Sequence, residues 1–201
     1  MCSSDLIVDM DAAQDAILAA ITDAEDAAGL TIEDVFLTYA GGKPRSQLID
    51  LEIEVGGQAV IDTHINALLN YAAQELPFEQ ESVRPMQRIH TLPVDYRVDR
   101  NHGIRDPRGM FAERLGVNMH LITVETGAVR NLGAAVGRCR LDVEEIVLSP
   151  YAAGLAALVD DELELGATII DMGGGATSVG VFHGGECVHT DVIRDRKSTR
   201  L

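Results

Sequence analysis

The residues of this 201-residue chain that are best suited to binding chemistry lie in one stretch, ATIIDMGGGATSVGVF, from Ala167 to Phe182. Three consecutive glycines, Gly173, Gly174 and Gly175, separate two runs that read as strands. Because glycine has no Cβ, backbone N–H groups at these positions can approach phosphate oxygens closely. The stretch therefore predicts a loop that binds phosphate.

The residues on either side of the glycines fit the same chemistry. Thr177 supplies a hydroxyl donor, and Ala176 belongs to the same loop. Asp171 ends the first strand, where it would lie near a Mg²⁺ ion that neutralises the phosphates. Since Mg²⁺ tends to keep several of its waters, we expect Asp171 to bind the ion through water. The pattern is neither a Walker A loop nor a dinucleotide-binding fingerprint, because a strand and not a helix follows it.

A simpler interpretation of the glycines stays open, namely a hairpin turn with no ligand. Tight turns require residues with positive φ, which glycine adopts readily. One or two such residues close a hairpin, however, so three glycines behind an aspartate exceed what a turn needs. We expect the glycines to serve a ligand.

The elements around this loop alternate between helix and strand. Asp11 and Gln14 resemble a capping box at the start of a helix that ends at Gly29. DVFLTY reads as a strand, and in the next strand apolar residues alternate with acidic ones over 49–55, which predicts one buried and one solvated face. Gly56 and Gly57 should turn this strand into a helix. The apolar stripe of that helix is Ile61, Ile65, Leu68, Leu69 and Ala72, and Pro77 should end it.

Two more strands are predicted in the middle of the chain, at Gln87–Asp99 and Leu115–Val124. Pro93 should place an edge or a bulge in the first of them. A helix at Ala128–Arg138, the strand-like run EEIVLSP and a helix at Tyr151–Leu163 complete the pattern. The alternation indicates an α/β protein, in which the middle block of strand, helix, strand and strand forms a separate small layer.

Composition excludes several classes of function. The formal charge is −16, from 32 acidic and 16 basic residues. Such a surface repels phosphate backbones and anionic lipid, so nucleic acid is not an expected partner. Three cysteines without CxxC spacing suit a reducing cytoplasm, and no apolar run is long enough to span a membrane. The six histidines lack the spacing of metal ligands, so we interpret them as structural.

Two motifs in order carry a family resemblance. IIDMGGGATSVGVF resembles the second phosphate-binding hairpin of the superfamily of actin, sugar kinases and seventy-kilodalton chaperones. LSPYAAGLAAL, upstream of it, resembles the helix that connects the two lobes in that superfamily. The block between His90 and Leu141, with its specific segment GIRDPRGM, is similar to the cell-division family FtsA, where the region is an inserted subdomain called 1C.

The resemblance implies an actin-like (ribonuclease H-like) fold with that insertion. Residues 7–45 and 141–162 would belong to subdomain 1A, 46–140 to subdomain 1C, and 163–193 to the start of subdomain 2A. Residues 1–6 and 194–201 differ in character from the rest, and we expect both ends to be foreign to the natural protein. The alternative for the second end is a genuine basic tail.

The resemblance also implies a function. An FtsA-like protein would bind ATP with Mg²⁺ and assemble into filaments. It would tether the FtsZ ring to the cytoplasmic face of the inner membrane at the division site, with weak or absent ATP hydrolysis. We expect the FtsZ site and the membrane-binding helix to lie outside these residues, and subdomain 1C to meet other division proteins. The alternatives are a pilus-assembly adaptor and a chaperone or kinase ATPase of the same superfamily.

Three departures from the family pattern carry expectations of their own. Hairpins of the family have the sequence GGGT[TS]D. In this chain Ala176 occupies the position of the first threonine, and Ser178 occupies the position of the aspartate. The hairpin therefore lacks one hydroxyl and one carboxylate. Arg140 stands where a glycine usually ends a helix, and Ile61 where a threonine usually caps one, each at a cost of about 1 kcal/mol.

Overall fold

The computed structural model describes residues 7, 9–41, 44–75, 85–173 and 176–194. The helices in these ranges are α1 (Met10–Ala28), α2 (Asp62–Glu75), α3 (Thr126–Arg138), α4 (Ser149–Ala157) and α5 (Asp160–Leu165). The strands are β1 (Asp34–Tyr39), β2 (Arg45–Ala59), β3 (Met86–Val98), β4 (Asn101–Ile104), β5 (Phe111–Glu125), β6 (Asp142–Leu148), β7 (Ala167–Met172), β8 (Ala176–His183) and β9 (Glu186–Arg194).

Over the described ranges the strands form three sheets. β1 and β6 pair in parallel. The second sheet is antiparallel with the order β2-β5-β3-β4, and the third is antiparallel with the order β7-β8-β9. The α/β class is confirmed, and so is the strand, helix, strand and strand order of the middle block. The short β4 is an addition, since its segment was expected only to separate two strands.

The second sheet, which we call the inserted sheet, has the one-sided burial that its sequence predicts. Along β2 the acidic residues are exposed, while the apolar residues between them are half-buried and Val55 is buried. Ile65, Leu68 and Ala72 of α2 are buried against this face. The core predicted between the sheet and its helix is therefore confirmed. On the other face, the guanidinium of Arg97 crosses Gly116 to pair with acidic side chains of β2.

Two predictions at the end of β2 are wrong. Gly56 and Gly57 do not end the strand, because their φ angles of 70° and 73° form a bulge, after which pairing with β5 resumes at Gln58 and Ala59. A bulge inserts extra residues without ending a ladder, and glycine supplies the required conformation. Ile61 precedes α2 and is 52% exposed, so it lies outside the buried stripe. Pro77 lies outside the described residues.

The long strand β5 joins the inserted sheet to the rest of the fold. Its first part lies in the core with α2, whereas Ile122 and Val124 lie in a second core with Tyr39, Val129 and Leu148. One strand thus serves two cores. The subdomain boundaries inferred from the resemblance stay predictions.

The predicted bulge at Pro93 is confirmed. The register of β3 against β5 shifts between Pro93 and Asp95. Proline has no N–H to donate to the ladder, so an irregularity at this point removes the conflict.

Helix α1 is capped two residues earlier than predicted, by Asp9 and not by Asp11. The carboxylate of Asp9 accepts hydrogen bonds from the N–H groups of Asp11 and Ala12, both at 3.0 Å. Asp11 is already inside the helix, where its carboxylate pairs with Arg138 of α3 at 3.0 Å. The end at Gly29 is confirmed, with φ of 67°. No residue of α1 is buried among the described residues, so its expected buried face is only half covered.

The predicted helix at Tyr151–Leu163 is two helices. The backbone is extended at Leu158 and Val159, between α4 and α5. A carboxylate oxygen of Glu162 accepts the N–H of Val159 at 3.1 Å and so caps the start of α5. A local hydrogen bond therefore favours the start of a second helix at this point.

Candidate functional site

The candidate site is the turn between β7 and β8. Asp171 pairs across the ladder with Ser178, and Met172 pairs with Thr177. The structure thus places Asp171 and Thr177 at the same end of the hairpin, on adjacent rungs of the ladder and so on opposite faces of the sheet. Their joint role at phosphate stays a prediction. Gly174 and Gly175, at the tip, lie outside the described residues.

Gly173 and Ala176 close this turn. The N–H of Gly173 donates to the carbonyl of Ala176 at 2.9 Å. A Cβ on Gly173 would lie 3.3 Å from that carbonyl oxygen, closer than side chains normally approach. The turn itself therefore requires a small residue at 173. A further role of Gly173 and Ala176 at phosphate stays a prediction.

Ser178 is a site residue whose contact sequence reasoning did not identify. Its hydroxyl donates to a carboxylate oxygen of Asp171 at 3.4 Å, and its side chain is buried. An aspartate at this position would face Asp171 directly across the ladder, and two carboxylates would repel each other. Serine instead orients the single carboxylate that remains. The cross-strand register was the signal that could have shown this contact.

Helix α4 packs against the strand β8 of the hairpin through two close contacts. A Cβ on Gly154 would lie 2.1 Å from Cζ of Phe182, so the ring of Phe182 occupies the space beside the helix backbone. A Cβ on Gly180 would lie 3.1 Å from the carbonyl oxygen of Pro150. Tyr151 stacks on Phe182 with ring centroids 6.4 Å apart and planes 8° apart. The strand that carries Ala176 and Thr177 is therefore fixed against the helix.

The GIRDPRGM loop is held by ion pairs. Arg105 pairs with Glu164 of α5. Arg108 pairs with Asp62 of α2 at 2.6 Å and with Asp106 at 2.9 Å. Both arginine side chains are more than half exposed, at 65% and 55%. The loop is thus joined to its neighbours, and its use as a partner surface stays a prediction.

The structure gives two histidines structural surroundings. His90 accepts the N–H of Leu148 through Nε2 at 2.9 Å, and burial lowers its pKa while Glu145 opposes that shift. His120 is fully buried between two sheets. Within the ranges that the structure describes, no three His, Cys, Asp or Glu side chains are grouped so as to hold a metal ion. None of the helices described has both the length and the apolar character needed to cross a bilayer.

Comparison with known proteins gives a consistent family. A family model described as the SHS2 domain inserted in FtsA matches residues 41–123, which hold the inserted sheet and α2. The cell division protein FtsA of Agrobacterium fabrum is 42% identical over 190 residues, covering 94% of this chain and 42% of that protein. FtsA of Pseudomonas aeruginosa is 33% identical and that of Escherichia coli 29%, with 94% and 92% of this chain covered.

A solved structure, described as a PilM-PilN type IV pilus biogenesis complex, shares the fold. It superposes with a TM-score of 0.54, covers 96% of this chain and 51% of its own, and has 15% sequence identity. This likeness supports the actin-like architecture and says nothing further about function. The chain spans less than half the length of the FtsA relatives it matches. Its identity to FtsA proteins over nearly its whole length and its inserted SHS2 domain place the chain in the FtsA family of cell-division proteins.

Proposed function

We propose that this chain is the phosphate-binding part of a cell-division scaffold. In the protein completed to the length of its relatives, the β7–β8 hairpin binds the phosphates of ATP together with Mg²⁺. ATP binding supports assembly into filaments that tether the FtsZ ring to the cytoplasmic face of the inner membrane. Hydrolysis is weak or absent.

The observation that carries this proposal is the hairpin geometry. Asp171 and Thr177 lie at the same end of a turn, next to three consecutive glycines. Close packing of Phe182 on Gly154 holds the other end of the same hairpin against α4. A glycine-rich turn with a hydroxyl and a carboxylate beside it is suited to phosphate and a hydrated Mg²⁺ ion. A plain hairpin requires none of these side chains.

The weak hydrolysis in this proposal follows from the side chains near the turn. Asp171 is the carboxylate that faces the turn on β7, and the Ser178 hydroxyl already occupies one of its oxygens. A general base must lie within hydrogen-bond reach of the attacking water. An aspartate held by a neighbouring serine is suited to orienting hydrated Mg²⁺ and less suited to accepting a proton.

The partners in this proposal follow from the family and from charge. The relatives are named as cell division proteins, which supports action with other division components. We assign the FtsZ and membrane contacts to parts of the completed protein outside these residues, and contacts with other division proteins to the inserted domain. The charge of −16 opposes nucleic acid as a partner.

Calorimetry of ATP binding to the completed protein tests the proposal. Gly174→Val places a branched side chain at the tip of the turn, and we expect it to abolish binding while the protein still melts cooperatively. Asp171→Asn keeps an oxygen for Ser178 but loses the charge, so we expect it to weaken ATP binding mainly when Mg²⁺ is present. A folded Gly174→Val protein with unchanged ATP affinity would leave the hairpin as plain structure.

A further inference from the structure

A polar cluster joins the inserted sheet to the hairpin sheet β7-β8-β9, and we call it the Ser46 joint. Its members are Ser46 of β2, His120 of β5, and Cys187, His189 and Thr190 of β9. The hydroxyl of Ser46 lies 2.7 Å from Nε2 of His120 and 3.2 Å from Nδ1 of His189. It also accepts the N–H of Thr190 at 3.2 Å. Two sheets therefore meet at one hydroxyl.

The contacts fix where the protons lie. Nδ1 of His120 is 2.8 Å from the carbonyl oxygen of Cys187, which can only accept. Nδ1 must therefore carry the proton, which leaves Nε2 of neutral His120 as an acceptor. The hydroxyl proton of Ser46 then points to Nε2 of His120.

The two lone pairs of Ser46 complete the arrangement. One accepts the N–H of Thr190, and the other accepts Nδ1–H of His189. A second proton on His189 leaves this donor in place. With Nδ1 of His189 donating, a second proton on His120 would leave the Ser46 hydroxyl facing only donors, and the hydroxyl would regain an acceptor only if His189 changed tautomer. While His120 is neutral, one proton arrangement satisfies the joint.

The surroundings of His120 favour that neutral form. The ring is fully buried, and burial lowers its pKa from 6.5 to about 4. The bond to Cys187 opposes this shift, while His189 of β9 and His90 of β3 add to it. The thiol of Cys187 also faces the joint, and burial raises its pKa to about 11, so it stays uncharged near neutral pH.

The joint acts on the strand that positions the phosphate hairpin. From Thr190 onward, β9 pairs with β8 up to the turn, with Val192 opposite Ser178 and Ile193 opposite Thr177. We propose that His120 is a positioning residue, which holds β9 through Ser46 and the Cys187 carbonyl and so fixes the hairpin relative to the inserted domain. This inference rests on the proposed function. It makes the placement of the nucleotide phosphates depend on the inserted domain.

The first test measures the joint itself in the 201-residue chain. Nitrogen NMR of the imidazole rings should show His120 as the neutral Nδ1–H tautomer from pH 5.5 to 8. In Ser46→Ala, hydrogen exchange of the Thr190 amide should be roughly three to ten times faster than in the unaltered chain. Thr168→Val is the matched control, because Thr168 is exposed at the end of the β7–β8 hairpin away from the turn and is not part of the joint.

The second test measures ATP affinity in the protein completed to the length of its relatives. We expect Ser46→Ala to bind ATP roughly three to ten times more weakly, Ser46→Thr to restore affinity, and the control Thr168→Val to match the unaltered protein. An Nε2–H tautomer, or unchanged exchange in Ser46→Ala, overturns the inference. So does unchanged affinity in Ser46→Ala when the unaltered protein binds ATP. If the unaltered protein binds no ATP, the proposed function fails and the positioning role fails with it, even where the tautomer is as expected.

Discussion

The ring of Phe182 fills the space in which a side chain at Gly154 would lie, 2.1 Å from a Cβ built on that glycine. One residue is in the helix α4, and the other is in the strand β8 that leads away from the β7–β8 turn. Their contact brings the helix backbone against an aromatic ring. Because packed interiors yield little, this contact fixes the end of β8 away from the turn against α4.

Gly154→Ala should destabilise the protein although alanine favours helices. The methyl group overlaps the Phe182 ring, and overpacking of this kind costs about 1–3 kcal/mol, more than the helix preference returns. Gly133→Ala in α3 is the matched control, since its Cβ would meet nothing within 4 Å. That variant should gain roughly 0.5–1 kcal/mol. Urea denaturation of both variants measures the difference.

The same pair offers a rescue. Phe182→Leu alone should destabilise the protein because it opens space beside Gly154. The double variant Gly154→Ala/Phe182→Leu should lose less stability than the sum of the two single variants, because the smaller side chain leaves room for the added methyl group. Non-additive free energies of unfolding identify direct contact. Additive effects would mean that Gly154 and Phe182 do not share the space that the structure assigns to them.

Arg140→Gly should stabilise the protein. Arg140 follows α3 with φ of 61°, a conformation that costs a non-glycine residue about 1 kcal/mol. Arg140→Ala removes the same charge and keeps the strain, so it isolates the backbone contribution. Thermal melting should place the glycine variant above the alanine variant. Equal melting temperatures would show that the strain is absent.

Acid should destabilise the protein in part through His120. Its folded pKa of about 4 lies below the ordinary value of 6.5, so the unfolded chain binds the proton first. The stability that His120 contributes is therefore complete above pH 6.5 and is lost as the pH falls towards 4. One such group changes the free energy of unfolding by at most about 1.4 kcal/mol per pH unit. Urea denaturation between pH 7 and 4 should show a flatter slope for His120→Gln, and an unchanged slope would contradict the assignment.

The sequence predicted well where one periodicity governs one face. The alternation of apolar and acidic residues in β2 correctly predicted the face that packs on α2, and Pro93 correctly predicted a bulge. The sequence was a poor guide where the structure depends on contacts between distant segments. Gly56 was expected to end β2, but pairing with β5 continues the strand beyond it. Nothing in the spacing of Tyr151–Leu163 shows that Glu162 caps a second helix.

The site divides in the same way. Asp171 and Thr177 were predicted because they flank the glycines in sequence. Ser178 was noted only as a departure from the family, and its bond to Asp171 depends on strand register. The Ser46 joint was not predicted, because Ser46 is 74 residues from His120 and 143 from His189. Spacing along the chain carries no signal over such separations.

The 201 residues alone should bind ATP weakly or not at all. They span 42% of the Agrobacterium fabrum protein and contain one glycine hairpin of the kind expected at phosphate. One hairpin offers few of the contacts that a nucleotide requires. Calorimetry that gave micromolar affinity for this chain would contradict the expectation.

The most direct test of the central claim, that the hairpin binds nucleotide phosphate, is the ATP affinity of Thr177→Val in the protein completed to the length of its relatives. The variant keeps the shape of the side chain and removes a hydroxyl at the turn. Thr168→Val is the control, because Thr168 is exposed at the far end of the same hairpin. We predict that Thr177→Val weakens ATP binding by roughly tenfold, as expected for a lost hydrogen bond to a charged group, and that Thr168→Val does not. Equal affinities for the two variants and the unaltered protein would contradict the claim.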